Sequence, residues 1–383
     1  MSDLGPILAL WRDLESARND YVLATVVEVQ GSSYRRPGAR MLLARDGRRA
    51  GTVSGGCLEA EVVKRAWWLT ENGPVVERYS TLEDDGDLPY GSGCGGVVFI
   101  LLERRSTAHA TLEVLAAAFE MRAPLAIAHI LEGPRAGHHA FAGISSAAAE
   151  TSQNPPAALQ AGLQRLADAA FADRQQREDE IMIEGAPVRV FVEYRPPRTG
   201  LWIFGAGDDA APLLHLAREL GWFVAIADGR SHLATANRFP DADEVLTLSI
   251  AELQATSPPR LDLHPGDAAV LMTHSFEQDS RILAFLLDTQ SHRRPAYIGV
   301  LGPQRRTREV IAEAARLLGL APTAGLVEEW LEGLHAPTGL DLGAEAPASV
   351  ALSILSEIQK TLTSASALPL CQVRATNPQP ARI

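Results

Sequence analysis

The stretch Leu201-Trp-Ile-Phe-Gly205-Ala-Gly207-Asp-Asp-Ala210 decides the fold of the second half of this chain. Four bulky apolar residues read as a buried strand, and the small residues after them read as a tight turn into a helix. In such a Gly-x-Gly-x-x-Ala string, Gly205 allows the turn and Gly207 lets the backbone approach a phosphate. Ala210 permits close helix–sheet packing. Working outward, the pattern predicts strands over 201–204, 224–227, 244–248, 268–273 and 296–301, with helices over about 210–220 and 279–288. Strand–helix alternation with short links defines a doubly wound, Rossmann-type parallel sheet. Further helices are expected near 304–318, 326–334 and 347–362. Asp228 closes the second strand, where a carboxylate accepts from ribose hydroxyls. Asp208 and Asp209 fall at the helix N-terminus, where they suit the helix dipole but repel a pyrophosphate.

The first half reads as an α+β domain with Gly-rich turns. A helix over 6–18 carries Ile7, Leu10, Trp11 and Leu14 on one stripe, and Tyr21 to Val29 forms a buried strand. A hairpin follows, from Met41 to Val53 around Asp46-Gly47. Gly51-Thr-Val-Ser-Gly55-Gly56-Cys57 leads into a helix over 58–69, and strands are expected over 75–80 and 97–102. Between them lies a second Gly-rich turn, Gly91-Ser-Gly-Cys94-Gly-Gly96. The segment 135–154, rich in Ala, Gly, Ser and His, reads as a mobile loop, and its His138-His139 pair is set aside with it. A helix over 156–171 and a strand over 188–193 complete this half. The expected domains are therefore 1–195 and 201–363, joined by a linker at 196–200 containing Pro196-Pro197, with a disordered tail at 364–383.

Composition narrows the function classes. The 35 basic residues against 47 acidic ones leave a net charge of −12, which argues against nucleic acid as the main partner. No apolar run reaches the roughly 18 residues needed to span a bilayer, and Met1-Ser-Asp-Leu-Gly-Pro6 has no secretory character. A cytoplasmic protein without a membrane partner is expected. Three cysteines, an odd and low count, fit a reducing compartment rather than a disulfide framework, and without Cys-x-x-Cys or His-Glu-x-x-His spacing no structural zinc site is expected.

Chemistry is expected at five places. Cys57 opens a helix after Gly55-Gly56, where backbone N–H groups favour the thiolate, a nucleophile and metal ligand. Cys94 is flanked by glycines that give access from either side; the alternative for both is an inert thiol in a tight turn. Arg35, Arg36 and Arg40 surround Pro37-Gly38 as a phosphate or carboxylate clamp, or as a solvated hairpin end. His274 follows the fourth strand of the Rossmann sheet, and His335 opens a loop containing Asp341.

Taken together, these residues resemble the XdhC/CoxI family of molybdenum-cofactor maturation proteins. The resemblance runs through Val26-Val-Glu-Val-Gln-Gly-Ser-Ser-Tyr-Arg-Arg-Pro-Gly-Ala-Arg-Met41, Gly51 to Val62 and Gly91 to Gly96. It resumes at Ile203 to Gly207, Tyr297 to Gly302 and His335-Ala-Pro-Thr-Gly-Leu-Asp-Leu-Gly-Ala344. One departure is that many members carry Gly-His-Val-Gly where this chain has Gly207-Asp-Asp-Ala210. The resemblance implies a chaperone that binds a molybdopterin-type cofactor, in a form that includes the cytosine dinucleotide. Together with a cysteine desulfurase it would support sulfuration of that cofactor. It would then pass the cofactor to an apo-hydroxylase of the xanthine dehydrogenase or CO dehydrogenase type. It makes Cys57 and Cys94 candidates for metal or sulfur, and Arg35, Arg36, Gly55, Gly56, Gly205, Gly207, Asp228, His335 and Asp341 candidates for holding the cofactor. A homodimer is expected. Two alternatives stay open: an NAD(P)-dependent oxidoreductase using the Rossmann half, for which Asp228 favours NAD, and a Rossmann half serving only as a docking scaffold.

Overall fold

The computed structural model describes residues 3–56, 58–80, 96–144, 156–183, 185–254, 261–288 and 294–376. The chain divides into two compact units, with the boundary between Arg198 and Thr199.

The N-terminal unit runs α1 (Leu4–Ser16), β1 (Tyr21–Gly31), β2 (Arg40–Ala44), β3 (Arg49–Gly51), α2 (Glu59–Leu69), β4 (Val75–Ser80) and β5 (Gly96–Arg104). It continues with α3 (Arg105–Glu120), β6 (Leu125–Ile130), β7 (His139–Ala142), α4 (Ala157–Asp173), β8 (Arg177–Ile183) and β9 (Ala186–Arg195). Two antiparallel sheets result, ordered β3-β2-β1-β5-β4 and β7-β6-β9-β8. Because side chains alternate across a strand, β1 and β5 feed two different cores. Val22, Ala24, Ile100 and Leu102 pack with Leu58, Val62 and Ala66 at and within α2. Tyr21 and Leu23 pack on the other side with α1, α3 and Ile127 of β6. Val27, Leu101, Leu131 and Phe191 fill the space between the two sheets. The far face of the second sheet, with Ala126, Ala128, Val190 and Val192, is covered by α4.

The helix α3 and the strands β6, β7 and β8 are additions to the sequence reading. The segment 135–154 is in part ordered: β7 pairs with β6, and His139 lies directly opposite His129. The loop expectation failed because Ala140 and Ala142 are strand residues whose small side chains are buried beneath α4. Residues 145–155 lie outside the described residues.

The second unit runs β10 (Gly200–Phe204), α5 (Ala210–Glu219), β11 (Phe223–Asp228), β12 (Glu244–Thr247), α6 (Ile250–Gln254), β13 (Ala268–Leu271), α7 (Phe276–Leu287) and β14 (Tyr297–Val300). Four helices follow: α8 (Gln304–Leu317), α9 (Ala324–Glu332), α10 (Pro347–Thr363) and α11 (Leu370–Thr376). The sheet is parallel, in the order β12-β11-β10-β13-β14. Both faces are covered, as a sheet of continuous apolar strands requires. Leu201, Ile203, Val224 and Ile226 pack on α5 and α10, while Trp202, Phe204, Ala225 and Ala227 pack towards α7 and α8. The strand order reverses between β10 and β13, the switch point where such sheets bind ligands. The helix α6 is an addition to the sequence reading. So is α11 within the tail expected to be disordered; residues 377–383 lie outside the described residues. No helix among the described residues is long and apolar enough to cross a membrane.

Among the ion pairs between α1 and α3, that of Glu15 with Arg105 sets an acid response. Arg105 donates to both Glu15 oxygens, at 3.1 and 2.6 Å, and Tyr21 donates to Oε1 at 2.7 Å. The Arg105 contact, working against partial burial, pulls the Glu15 carboxyl down to about 2. A carboxyl depressed in the folded state stabilises above its unfolded value and loses that contribution as pH falls through the folded one. Discounted for the partial exposure of both partners, the pair contributes about 1 kcal/mol. Wild-type urea midpoints should therefore fall between about pH 4.5 and 2. In Glu15→Gln that slope should shrink; an unchanged slope would show that Glu15 is not its source.

Candidate functional site

The turn that leads into α2 is built around Glu59. Its Oε1 accepts from the Val53 and Ser54 amides at 3.2 and 2.8 Å, and its Oε2 accepts from the Ser54 hydroxyl at 2.5 Å. The Ser54 oxygen in turn accepts from the amides of Gly56 and Leu58, at 3.2 and 3.1 Å. Burial opposes the charge on Glu59, but the bonds from Ser54 and the nearby amides outweigh it and lower its pKa. An anchored carboxylate thus holds an exposed Gly55-Gly56 loop at the start of a helix. Gly56 sits at φ +113° with open space where a Cβ would be, and the Tyr34 ring lies over Gly55. Cys57 itself, and Cys94 with residues 91–95 of its turn, lie outside the described residues.

The arginines expected to form a clamp separate in the structure. Arg35 pairs with Asp3 at 2.8 Å, and Arg36 is exposed in the turn. Arg40 is buried and grips a carboxylate of its own chain: it donates to Glu193 at 2.9 and 2.5 Å, and Arg195 adds a third bond at 2.9 Å. Arg40 therefore holds the two sheets of the unit together and is not free for a ligand.

Beside this pair lies a cluster that the sequence reading missed. Glu103 of β5, His129 of β6 and His139 of β7 bring one ligand atom each to within 4.8 Å of one another. His139 Nε2 and Glu103 Oε1 are 2.8 Å apart, and His129 Nε2 lies 3.9 Å from Glu193 Oε2. His129 stacks on Phe191 and meets His139 edge-on. Burial pushes the His129 pKa down to about 4. Burial also opposes the Glu103 charge, but the neighbouring His139 outweighs it and lowers the carboxyl. A signal was present: Leu125-Ala-Ile-Ala-His-Ile130 and Val190-Phe-Val-Glu193 each set one ionisable residue in an otherwise apolar strand.

In the second unit, the ends of the parallel strands gather charged groups that pair among themselves. Gly205 adopts φ +134°, and a Cβ there would lie 2.5 Å from the Met272 carbonyl oxygen. Asp228 is buried and fully engaged. Its Oδ2 accepts from the Ala206 amide and Arg230 Nη2 at 2.8 and 2.7 Å, while Oδ1 accepts from the Arg230 amide and Nε at 2.8 and 3.0 Å. Burial opposes the charge on Asp228, but these donors outweigh it and lower the carboxyl. A ribose hydroxyl would have to displace Arg230 to reach this carboxylate. Asp208 pairs with Arg238 at 2.7 Å, and Asp209 lies 3.6 Å from His274, which is exposed at φ +60°. A carboxylate oxygen of Asp209 sits 2.5 Å from where a Gly207 Cβ would be. The loop thus places acidic groups beside Gly207, where they disfavour a pyrophosphate.

His335 extends this sheet past β14 through a bridge to Gly299. Its ring stacks on Tyr297 at 4.1 Å, and its Nδ1 lies 3.0 Å from Glu357. Glu357 also accepts from Tyr297 and the Gly339 amide, each at 2.7 Å. Asp341 is exposed on the adjoining loop and does not join this group.

A two-unit α/β chain with an antiparallel N-terminal unit and a Rossmann-type second unit defines the class of protein. The particular family follows from the comparisons. Residues 14–80 match the XdhC and CoxI family, and residues 201–358 match the XdhC Rossmann domain. The chain is 30% identical to a Bacillus subtilis protein described as a probable xanthine dehydrogenase subunit, over 92% of this chain and 95% of that protein. It is 34% identical to the molybdenum cofactor insertion chaperone PaoD of Escherichia coli, over 24% of this chain and 29% of that protein. A crystal structure described as a xanthine dehydrogenase from Bacillus halodurans superposes with a TM-score of 0.67 at 25% identity, covering 96% of this chain and 99% of that one. The chain belongs to the XdhC/CoxI family.

Proposed function

We propose that this protein is a molybdenum-cofactor chaperone that delivers its cargo to a hydroxylase of the xanthine dehydrogenase type. The observation that carries this reading is the contrast between its two glycine turns. The turn before α2 is exposed, open at Gly56 and anchored from beneath by Glu59. The Rossmann turn is filled by Asp209, with Asp228 committed to Ala206 and Arg230. An anionic, phosphate-bearing cargo meets open access at the first turn, whose Val53, Ser54, Gly56 and Leu58 amides are already taken by Glu59 and Ser54. It is repelled by the carboxylates of Asp208, Asp209 and Asp228. Chaperone function is therefore favoured over an NAD(P)-dependent oxidoreductase, and the relative named as a molybdenum cofactor insertion chaperone agrees with it. In this reading Cys57 and Cys94 are the soft donors for molybdenum or for sulfur supplied by a desulfurase. Arg36 is an exposed cation two residues from the Tyr34 that covers Gly55.

The test is transfer. Cofactor-loaded protein mixed with apo-hydroxylase should restore hydroxylase activity, and Cys57→Ala should reduce the yield roughly tenfold or more, the loss of one strong ligand. Equal transfer by wild type, Cys57→Ala and Cys94→Ala would show that the thiols take no part. Tight NAD(P) binding with hydride transfer, and no cofactor transfer, would favour the oxidoreductase reading instead.

A further inference from the structure

Where the two sheets of the N-terminal unit face each other, the buried layer is not uniformly apolar. At its centre His129 is fully buried, and among the described residues neither of its ring nitrogens has a hydrogen-bond partner. Glu103, also fully buried, has Oε2 without a partner there, and His139, with a side chain 6% exposed, has Nδ1 without one. Leaving buried polar atoms unpaired is costly, and native interiors rarely tolerate several together. All three side chains point into the same small space, and they come from three different strands in two sheets.

We propose that Glu103, His129 and His139 bind a divalent first-row transition-metal ion, of the Zn2+ class, that pins the two sheets of this unit together. Two imidazoles and one carboxylate are a donor set such ions accept, and three protein donors leave one position for water or the second Glu103 oxygen. The ion takes up lone pairs of His129 and Glu103 Oε2 that have no hydrogen-bond partner among the described residues, and its charge offsets a carboxylate bonded directly to His139. Glu193, 3.9 Å from His129 Nε2 and fixed by Arg40 and Arg195, is placed to orient that ring, as outer carboxylates do for metal-bound histidines. Phe191 stacked on the ring limits its rotation. Gly137 is also fitted to the site. Its φ is +78°, and a Cβ there would press on Pro74 at 2.6 Å and on Glu103 Oε1 at 3.3 Å. None of its three donors is a cysteine, and the proposal stands whether or not the protein carries a molybdenum cofactor.

The test uses the full chain, unfolded and refolded with Zn2+ alone, then chelator-washed and analysed for metal. The same is done for the Cys57→Ser/Cys94→Ser/Cys371→Ser variant. Both should retain about one ion per chain, and the Co2+ form should lack a sulfur-to-metal charge-transfer band. Glu103→Gln and His129→Gln should lower retention roughly tenfold or more. Should those variants fail to fold, stripping the wild type under denaturing conditions and refolding without metal should lower its Tm by about 5–10 °C. Metal that vanishes with the cysteines, or persists in both Gln variants, would overturn the proposal. So would a refolded wild type that holds no metal and melts identically with and without Zn2+, which would leave a buried water as the partner.

Discussion

Glu193→Ala should destabilise the N-terminal unit by about 3–5 kcal/mol, among the largest effects of any single substitution in the chain. The carboxylate is buried between Arg40 and Arg195, and Arg40 is itself almost entirely inaccessible. Burial opposes its charge, but Arg40 and its other neighbours hold the carboxyl well below the usual range. Removing it leaves a buried guanidinium without a counter-charge, which costs far more than the pair contributes. The double change Arg40→Met/Glu193→Leu should recover part of the loss, because Arg40 leaves with its counter-charge while Arg195 stays behind unpaired. Urea unfolding followed by hydrogen exchange of β6 and β9 amides reads this unit separately from the Rossmann unit. A single variant within about 1 kcal/mol of wild type would show that the ion pair does not tie the sheets together.

Gly205→Ala should be nearly as severe, at about 3–5 kcal/mol in the second unit. Two costs add: a left-handed backbone conformation that side chains avoid, about 1–3 kcal/mol, and a Cβ driven against the Met272 carbonyl. Gly56→Ala is the internal control. Its φ of +113° is equally unfavourable, but nothing lies within 4 Å of the added carbon. Only the strain remains there, about 1–3 kcal/mol. Thermal or urea unfolding of the two variants side by side checks the difference. Equal losses would show that close approach to Met272 is not what requires glycine at 205.

The Rossmann unit was legible because its strands are continuous apolar runs, and Gly205, Gly207 and Ala210 punctuate the first strand–helix turn. The N-terminal unit was legible only where turn residues or a clear stripe marked an element. Arg105–Glu120 and Leu125–Ile130 carry ordinary patterns with no such punctuation, and β7 is four residues of His, Ala and Phe. Pairing with β6 and cover from α4, both long-range, make it a strand. Site chemistry was harder still. Arg40 looked like a ligand clamp because its partner Glu193 lies 153 residues away in the chain. Asp228 looked like a ribose acceptor because local pattern does not show that Arg230 folds back onto it. His139 was set aside with a loop that its strand pairing turns into part of a core.

Whether this chain carries a molybdenum cofactor is tested most directly by purifying it from cells that make the cofactor and measuring bound molybdenum and pterin. Both should be present in equal amounts, approaching one of each per binding site, and they should leave together on transfer to an apo-hydroxylase. Protein that emerges free of both, while a known molybdenum-cofactor carrier from the same cells is loaded, would contradict the chaperone reading.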